Sequence, residues 1–465
     1  MKRIFADILA GLDGDRAHKL ARKLPEWAAA GVEIPTALSL EQCSSTLTAR
    51  YKANLVSEQI VVASRGGSSP RQNFASLIPP TAPQRVPPVH EATGGHGFAG
   101  ATSPDVPQHA ADDLSVAPLL SITNGIKLVL DLTGGLGVDS WAFSQVAGRV
   151  VYYERDAELA AAAERNFARL GADNITVRCE TVTPDTALPE VDLVYADPAR
   201  RDAAGRKVFL LEDCTPDILT LLPLLLQKAP AVLLKLSPMA DLSMLRERLG
   251  PALREIHVVE AGGEVKELLC LLCRDASPGG PETAVVRLPG SACLRFRPDE
   301  EREAAAVYAA GVEPGDILLE PCPALLKAGA FRLPCALWGL RKLAPSTHLY
   351  LLPEDVARHL SVAKSASADR PAPGLCNGKV GNVFNVPGDN FFKALRVSDV
   401  LPFGAAAFKA LSKRCPQAEI TARNLPLGSD ALRKKMGIAP GGDTHIFGCR
   451  LADGGAVLIV TEKVI

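Results

Sequence analysis

Thirteen residues constrain this chain more than any others: Lys127-Leu-Val-Leu-Asp-Leu-Thr-Gly-Gly-Leu-Gly-Val-Asp139. An apolar strand, Leu128 to Leu132, runs straight into a turn with glycines at 134, 135 and 137. Those glycines let the backbone turn sharply and leave room for a ligand beside it. A helix is predicted from Asp139 or Ser140, and the next strand, Arg149 to Glu154, ends in an acid. Strand, glycine turn, helix, strand and acid make the nucleotide-gripping half of a doubly wound α/β sheet.

The details of the turn choose among nucleotides. A nicotinamide or flavin fingerprint needs Gly or Ala at the third place, where this chain has Ser140. Asp131 to Gly137 suits instead the first motif of S-adenosylmethionine enzymes, with Thr133 replacing one usual glycine. Asp131 would meet the ligand's amino group, and the backbone at Gly135 and Gly137 would pass close to the nucleoside. Glu154 stands where a carboxylate can accept both ribose hydroxyls; the plainer reading is a solvated acid at a strand end. Glu180, after the third strand, is a candidate contact for adenine and equally a helix cap. A dinucleotide oxidoreductase is disfavoured by Ser140.

The chain around this unit alternates in character. Residues 1–63 carry apolar spacings of three and four and are expected to be helical, with Glu41, Gln42, Ser44 and Ser45 clustered at a helix start. Capping explains those polar groups; a contact with the neighbouring site is the sharper reading. Residues 64–124 are rich in Pro, Gly, Ser, Thr and His and read as an insertion or linker. Residues 125–276 alternate strand and helix, with five parallel strands and a closing hairpin over 255–273, which fits a Rossmann-like seven-stranded class I methyltransferase core. Beyond that come an α+β unit over 277–360, a weak boundary over 361–394 and a compact α+β unit over 395–465.

A second motif, Asp197-Pro-Ala-Arg-Arg201, falls where the fourth strand opens over a methyl donor. Methyltransferases acting on exocyclic base amines commonly carry an acid or amide followed by two prolines and an aromatic residue there. The side-chain oxygen of Asp197 and the Pro198 carbonyl would accept hydrogen bonds from the amine and aim its lone pair, so catalysis is largely positioning. Here Ala199 replaces the second proline and Arg200 the aromatic residue; Arg200 and Arg201 can contact a base or a phosphate. Surface arginines at a helix start are the plainer alternative. The fifth strand ends in Lys235-Leu-Ser-Pro238, without the cysteine that covalent pyrimidine chemistry needs. Lys235 is a candidate for holding an anion, or a lysine with a buried stem.

Charge adds a partner. The formal net charge is −1, yet residues 321–465 hold 19 Lys and Arg against 10 Asp and Glu. A basic C-terminal third on a neutral or acidic body fits a polyanion, nucleic acid above all, as well as it fits a solvated basic face. Arg423, Arg433, Lys434 and Lys435 beside the Gly441-Gly-Asp-Thr-His445 loop are the candidate RNA-binding residues. Eleven scattered cysteines and no secretory signal indicate reduced thiols and a cytoplasmic location. Cys270 and Cys273 have zinc-ribbon spacing but sit on one strand, facing opposite sides, so no metal site is expected. Gln227, Lys228 and Pro230 break the apolar run 219–236, so it is not a membrane span.

Taken with Lys23-Leu-Pro-Glu-Trp27, Glu41-Gln-Cys-Ser-Ser45, Lys235-Leu-Ser-Pro238, Lys266-Glu-Leu-Leu269, Glu320 to Ala330 and Arg423-Asn-Leu-Pro426 through Gly441-Gly-Asp443, the two motifs resemble the bacterial class I methyltransferase-like family with a C-terminal THUMP-like domain. The resemblance covers most of the ordered chain. It implies an N-terminal helical segment, an S-adenosylmethionine-binding core, a ferredoxin-like unit near 314–358 and a THUMP-like domain near 398–465. True THUMP domains accompany RNA-modifying enzymes, so the resemblance implies RNA, rRNA or tRNA, as the substrate. The expected activity is methyl transfer to a base nitrogen of RNA; the alternative is a non-catalytic RNA-binding or ribosome-associated protein that keeps the fold.

Overall fold

The structure, a computed structural model, describes residues 14–64, 125–199, 214–275, 279–290, 292–353 and 389–464. Four helices come first: α1 (Gly14–Lys23), α2 (Pro25–Ala30), α3 (Ala37–Gln42) and α4 (Thr46–Ser64). Pro25 starts α2, where its missing N–H costs nothing, and Gly31 ends it in a left-handed conformation. Ser45 and Thr48 exchange side-chain-to-backbone hydrogen bonds at the start of α4, so capping is one role of that polar run.

The core alternates β1 (Leu128–Asp131), α5 (Val138–Ser144), β2 (Arg149–Tyr153), α6 (Ala157–Arg169), β3 (Ile175–Arg178), β4 (Leu193–Ala196), α7 (Ile218–Lys228), β5 (Ala231–Leu236), α8 (Leu242–Leu249), β6 (Leu253–Ala261) and β7 (Glu264–Cys273). Asp156, Asp217 and Asp241 each cap a following helix through two backbone N–H groups, which defines where α6, α7 and α8 begin. The strands lie in the order β3-β2-β1-β4-β5-β7-β6, with β7 antiparallel to both neighbours. This is the seven-stranded class I methyltransferase sheet.

A hairpin, β8 (Glu282–Leu288) and β9 (Ala292–Phe296), extends that sheet to nine strands. The boundary expected at 276/277 therefore runs through one sheet, because β8 pairs in parallel with β6. Cys270 packs in the core on one face of the sheet and Cys273 against the core on the other. Their separation matches strand alternation.

The rest of the chain forms α9 (Pro298–Glu303), β10 (Ile317–Pro321), α10 (Pro323–Ala328), α11 (Leu333–Trp338), β11 (Arg341–Lys342), β12 (Tyr350–Leu351), β13 (Phe392–Pro402), α12 (Ala405–Arg414), β14 (Glu419–Arg423), α13 (Ser429–Met436), β15 (Thr444–Arg450) and β16 (Ala456–Lys463). Its strands make one sheet, β11-β12-β10-β13-β16-β15-β14, so the two C-terminal units expected from the sequence share a ladder. Leu319, Leu325, Tyr350 and Phe392 join Val232, Leu234, Val258 and Leu268 in one apolar core. The nine-stranded sheet and the C-terminal sheet are thus fused by packing as well as by chain. No helix among the described residues is long and apolar enough to cross a membrane.

Candidate active site

The glycine turn is shaped by aromatic packing. A Cβ at Gly134 would stand 2.0 Å from the Tyr152 ring, and one at Gly137 would stand 2.6 Å from Phe167. Gly135 and Gly137 have φ of +56° and +90°, which only glycine adopts without strain. The Tyr152 hydroxyl donates to the Gly135 carbonyl at 2.5 Å, locking the turn on β2.

Asp131 lies beneath this turn, buried, accepting from the Thr133 N–H at 3.0 Å and the Ser140 hydroxyl at 2.6 Å. Burial pushes its carboxyl up to about 7, against those two bonds. Ser140, the mismatch to a dinucleotide fingerprint, is here the group that steadies Asp131. Glu154 comes to the rim of the turn: it accepts from the Gly135 N–H at 2.8 Å and the Asp156 N–H at 2.9 Å. Glu180 is exposed beyond β3. Thr133 ties the two motifs together, its hydroxyl accepting from the Asp197 N–H at 2.6 Å.

Asp197 closes β4 with its side chain 36% exposed, and Pro198 is buried behind it. Arg200 and Arg201 lie outside the described residues. The Lys235 ammonium meets Asp197 Oδ2 at 2.5 Å and lies 3.9 Å from Asp139 Oδ2. Of the two readings the sequence left open for Lys235, an anion holder or a lysine with a buried stem, the structure shows a largely buried side chain whose ammonium is paired by the protein's own carboxylates. Burial opposes its charge, but Asp197, Asp139 and Glu267 outweigh this and hold the ammonium above the ordinary lysine range.

Behind Lys235 runs a buried chain of charges that the sequence did not reveal. Asp139 Oδ2 accepts from the Tyr195 hydroxyl at 2.6 Å and the Ser44 hydroxyl at 2.8 Å. The fully buried Lys52 ammonium lies 3.2 Å from Asp139 Oδ1 and 2.7 Å from Glu267 Oε1, and donates to Ser44 at 3.1 Å. Burial works against the Asp139 charge, yet Lys52 and Lys235 bring it below the ordinary carboxylate range. Burial wins at Glu267, which is raised. Cys43 lies close by, with the Lys23 ammonium bound to the carbonyls of Leu40 and Glu41 at 2.8 Å each. The Glu41-Gln-Cys-Ser-Ser45 run thus contacts the site as well as capping α4. Asp139, Asp197, Lys235, Glu267, Ser44 and Lys23 come from six of the motif segments singled out in the sequence.

The basic C-terminal residues are divided. Arg423 alternates away from Ile420 and Ala422, which pack toward α13, and its guanidinium meets Glu320 at 3.2 Å. On that same side His445 stacks on Phe447 with centroids 3.9 Å apart, contacts Thr421 at 2.8 Å and lies 3.4 Å from the Lys393 ammonium. Burial first, then Lys393 and Arg423, push His445 down to about 3. Arg433 pairs with Asp430 and Glu419 on the helix side, where Lys434 and Lys435 are exposed. The four expected RNA contacts therefore do not form one cluster, because strand alternation and a helix aim them differently. Among the described residues no group of His, Cys, Asp and Glu is arranged to hold a metal.

Comparison with known proteins agrees with this architecture. The profile of the THUMP domain-like family matches residues 392–463, and that of a ferredoxin-like domain matches residues 318–357. The fold is similar to the crystal structure of a provisionally assigned methyltransferase of Porphyromonas gingivalis W83. That likeness has 28% identity, covers 97% of this chain and 89% of the other, and has a TM-score of 0.68. A provisionally assigned RNA methyltransferase of Pyrococcus horikoshii matches 23% of this chain and 50% of its own at 23% identity and TM-score 0.19. An rRNA methylase of Streptococcus thermophilus matches 32% of this chain and 88% of its own at 10% identity and TM-score 0.24. No curated protein matches the chain. The sheet order, the glycine turn and the acids at the strand ends define a class I methyltransferase fold. The chain is a methyltransferase-like protein with a C-terminal THUMP-like domain.

Proposed function

We propose that this chain is an S-adenosylmethionine-dependent methyltransferase acting on RNA. The observation that carries the reading is the meeting of Asp131, the Gly134–Gly137 turn, Glu154 and Asp197 at the carboxyl ends of β1, β2 and β4, with Thr133 bonded to the Asp197 N–H. The residues suit the donor: a cradle too tight for a Cβ at Gly134 or Gly137, and a carboxylate at its rim with lone pairs to spare for ribose hydroxyls. Asp131 would hold the donor's amino group from beneath. When bound, the donor supplies an electrophilic methyl group. The chain's own residues bind it, orient the acceptor at Asp197 and place Lys235 beside that acceptor.

RNA is supported by the THUMP-like match and by cationic side chains on both faces of the C-terminal sheet, Lys393 and Arg423 on one and Lys434 and Lys435 on the other. In the sequence, Asp197 and Pro198 suggest a base nitrogen; which atom accepts the methyl group depends on what stands beside Asp197. The first test is calorimetric titration with S-adenosylmethionine, followed by mass-spectrometric mapping of modified nucleotides in ribosomal and transfer RNA from a deletion strain and its parent. Binding together with one missing methyl mark is the expected result. No binding at millimolar donor overturns the enzyme reading and returns the chain to a non-catalytic one.

A further inference from the structure

The contact between Lys235 and Asp197 bears on the kind of atom that can be methylated here. An ammonium carries three N–H donors and no acceptor. Lys235 uses a donor on Asp197, lies 3.9 Å from Asp139, and keeps its side chain 12% exposed. A nucleophile placed against Asp197 therefore has an ammonium beside it. An exocyclic amine nitrogen has one lone pair, and that pair must point at the methyl group. Accepting a hydrogen bond from Lys235 would take it out of attack. A hydroxyl oxygen has two lone pairs and one proton. One pair can accept from Lys235 while the other attacks, and the proton can go to a free lone pair of the Asp197 carboxylate.

The rest of the network fits a hydroxyl too. Asp139, itself held by Tyr195, Ser44 and Lys52, lies 3.9 Å from the Lys235 ammonium and keeps a second carboxylate fixed beside it. Ala199 stands where base-amine enzymes carry a second proline, and among the described residues Asp197 and Lys235 form the ion pair at the ends of β4 and β5.

Resting on the methyl-transfer reading above, we propose that the acceptor is a hydroxyl, which in RNA is the ribose 2′-hydroxyl, and that Lys235 and Asp197 are the residues that touch it. The oxygen–methyl bond forms as the carbon–sulfur bond of the donor breaks, with that electron pair staying on sulfur. The hydroxyl proton passes to Asp197, whose solvent-facing edge releases it to water. Lys235 stays protonated throughout and stabilises the negative charge that builds on oxygen, a role worth about 10²–10³ in rate for a single well-placed donor. The 2′-hydroxyl, a donor and an acceptor at once, has the hydrogen-bonding capacity this pair demands.

The test uses the full chain, isotopically labelled S-adenosylmethionine and total RNA from a strain lacking this gene, with nucleoside mass spectrometry of the product. Label in 2′-O-methyl nucleosides is the expected result. Label in a methylated base overturns the hydroxyl assignment and leaves the RNA methyltransferase reading standing. No label in RNA from the wild-type chain overturns both. Lys235→Met should lower kcat at least about 100-fold while the donor Kd changes less than about threefold; unchanged kcat overturns the role of Lys235. Should Lys235→Met fail to fold, Lys235→Arg takes its place and should keep a measurable fraction of the rate. In the protein without donor, ¹⁵N-lysine spectra should show a protected Lys235 ammonium that Asp197→Asn shifts. Its absence removes the contact on which the assignment stands.

Discussion

Lys52→Met puts the buried charge chain under the most direct test. The Lys52 ammonium is fully buried, 2.7 Å from Glu267 and 3.2 Å from Asp139. At an effective dielectric of roughly 20 these contacts amount to about 6 and 5 kcal/mol of attraction. Most of that offsets the cost of taking the charges out of water. Removing the ammonium alone leaves Glu267 desolvated without its nearest cation, and Asp139 with the Tyr195 and Ser44 hydroxyls and Lys235 at 3.9 Å, for an expected loss of about 3–5 kcal/mol. Lys52→Met with Glu267→Gln removes one of those carboxylates and should recover roughly 1–3 kcal/mol of the sum of the two single losses. Urea unfolding followed by tryptophan fluorescence reads this region, since Trp27 and Trp141 meet edge to face with centroids 6.2 Å apart in the neighbouring core. A single-variant loss below about 1 kcal/mol, or a cycle additive within about 0.5 kcal/mol, would refute the reasoning.

Gly134→Ala drives a methyl into the Tyr152 ring and should cost about 1–3 kcal/mol in thermal unfolding, with part returned by Tyr152→Leu; a silent Gly134→Ala would mean the turn has room to spare. Glu154→Gln should weaken donor binding by roughly tenfold in calorimetry, about 1.4 kcal/mol, with little change in melting temperature. Asp131 titrates at about 7 when folded against about 3.9 when free. Between those values the folded chain holds a proton that the unfolded chain has released. Stability should therefore fall as pH rises through that window, by up to about 1.4 kcal/mol per unit. Asp131→Asn should flatten this slope in urea midpoints, and an unaltered slope would count against it. Arg423→Ala should reduce the salt dependence of binding to total RNA by about one unit of slope in a filter assay; an unchanged slope leaves Arg423 as the partner of Glu320 alone.

What could be read from the sequence was local. The glycine turn, Glu154 and Asp197 sit at strand ends, where a few consecutive residues dictate both conformation and position. The parallel core and its closing hairpin follow from apolar runs of strand length. Lys52 carries no such signal, because one lysine on a helix looks like any solvated lysine until the strand it packs against is known. Glu267 offered a hint, as an acid heading the otherwise apolar strand from Leu268 to Cys273, but nothing local told which cation would meet it. The charge count of the C-terminal third was legible, whereas the separation of Arg423 from Arg433 depends on which faces of β14 and α13 are buried. The hairpin β8–β9 was lost to the wrong unit since pairing across β6 is a long-range choice.

Glu267 lies 215 residues beyond Lys52. At about 5–20 residues per second, a ribosome needs roughly ten to forty seconds to deliver the second after the first. For that interval the Lys52 ammonium can meet Asp139 of α5 but has no carboxylate from β7. The buried charge chain is thus completed only once β7, a late strand of the nine-stranded sheet, has been made. The apolar Leu20, Leu24, Trp27 and Leu40 share a core with Val129, Trp141 and Phe143, which are made well before β7, so it is the charge of Lys52 and not the apolar face that waits for the far strand.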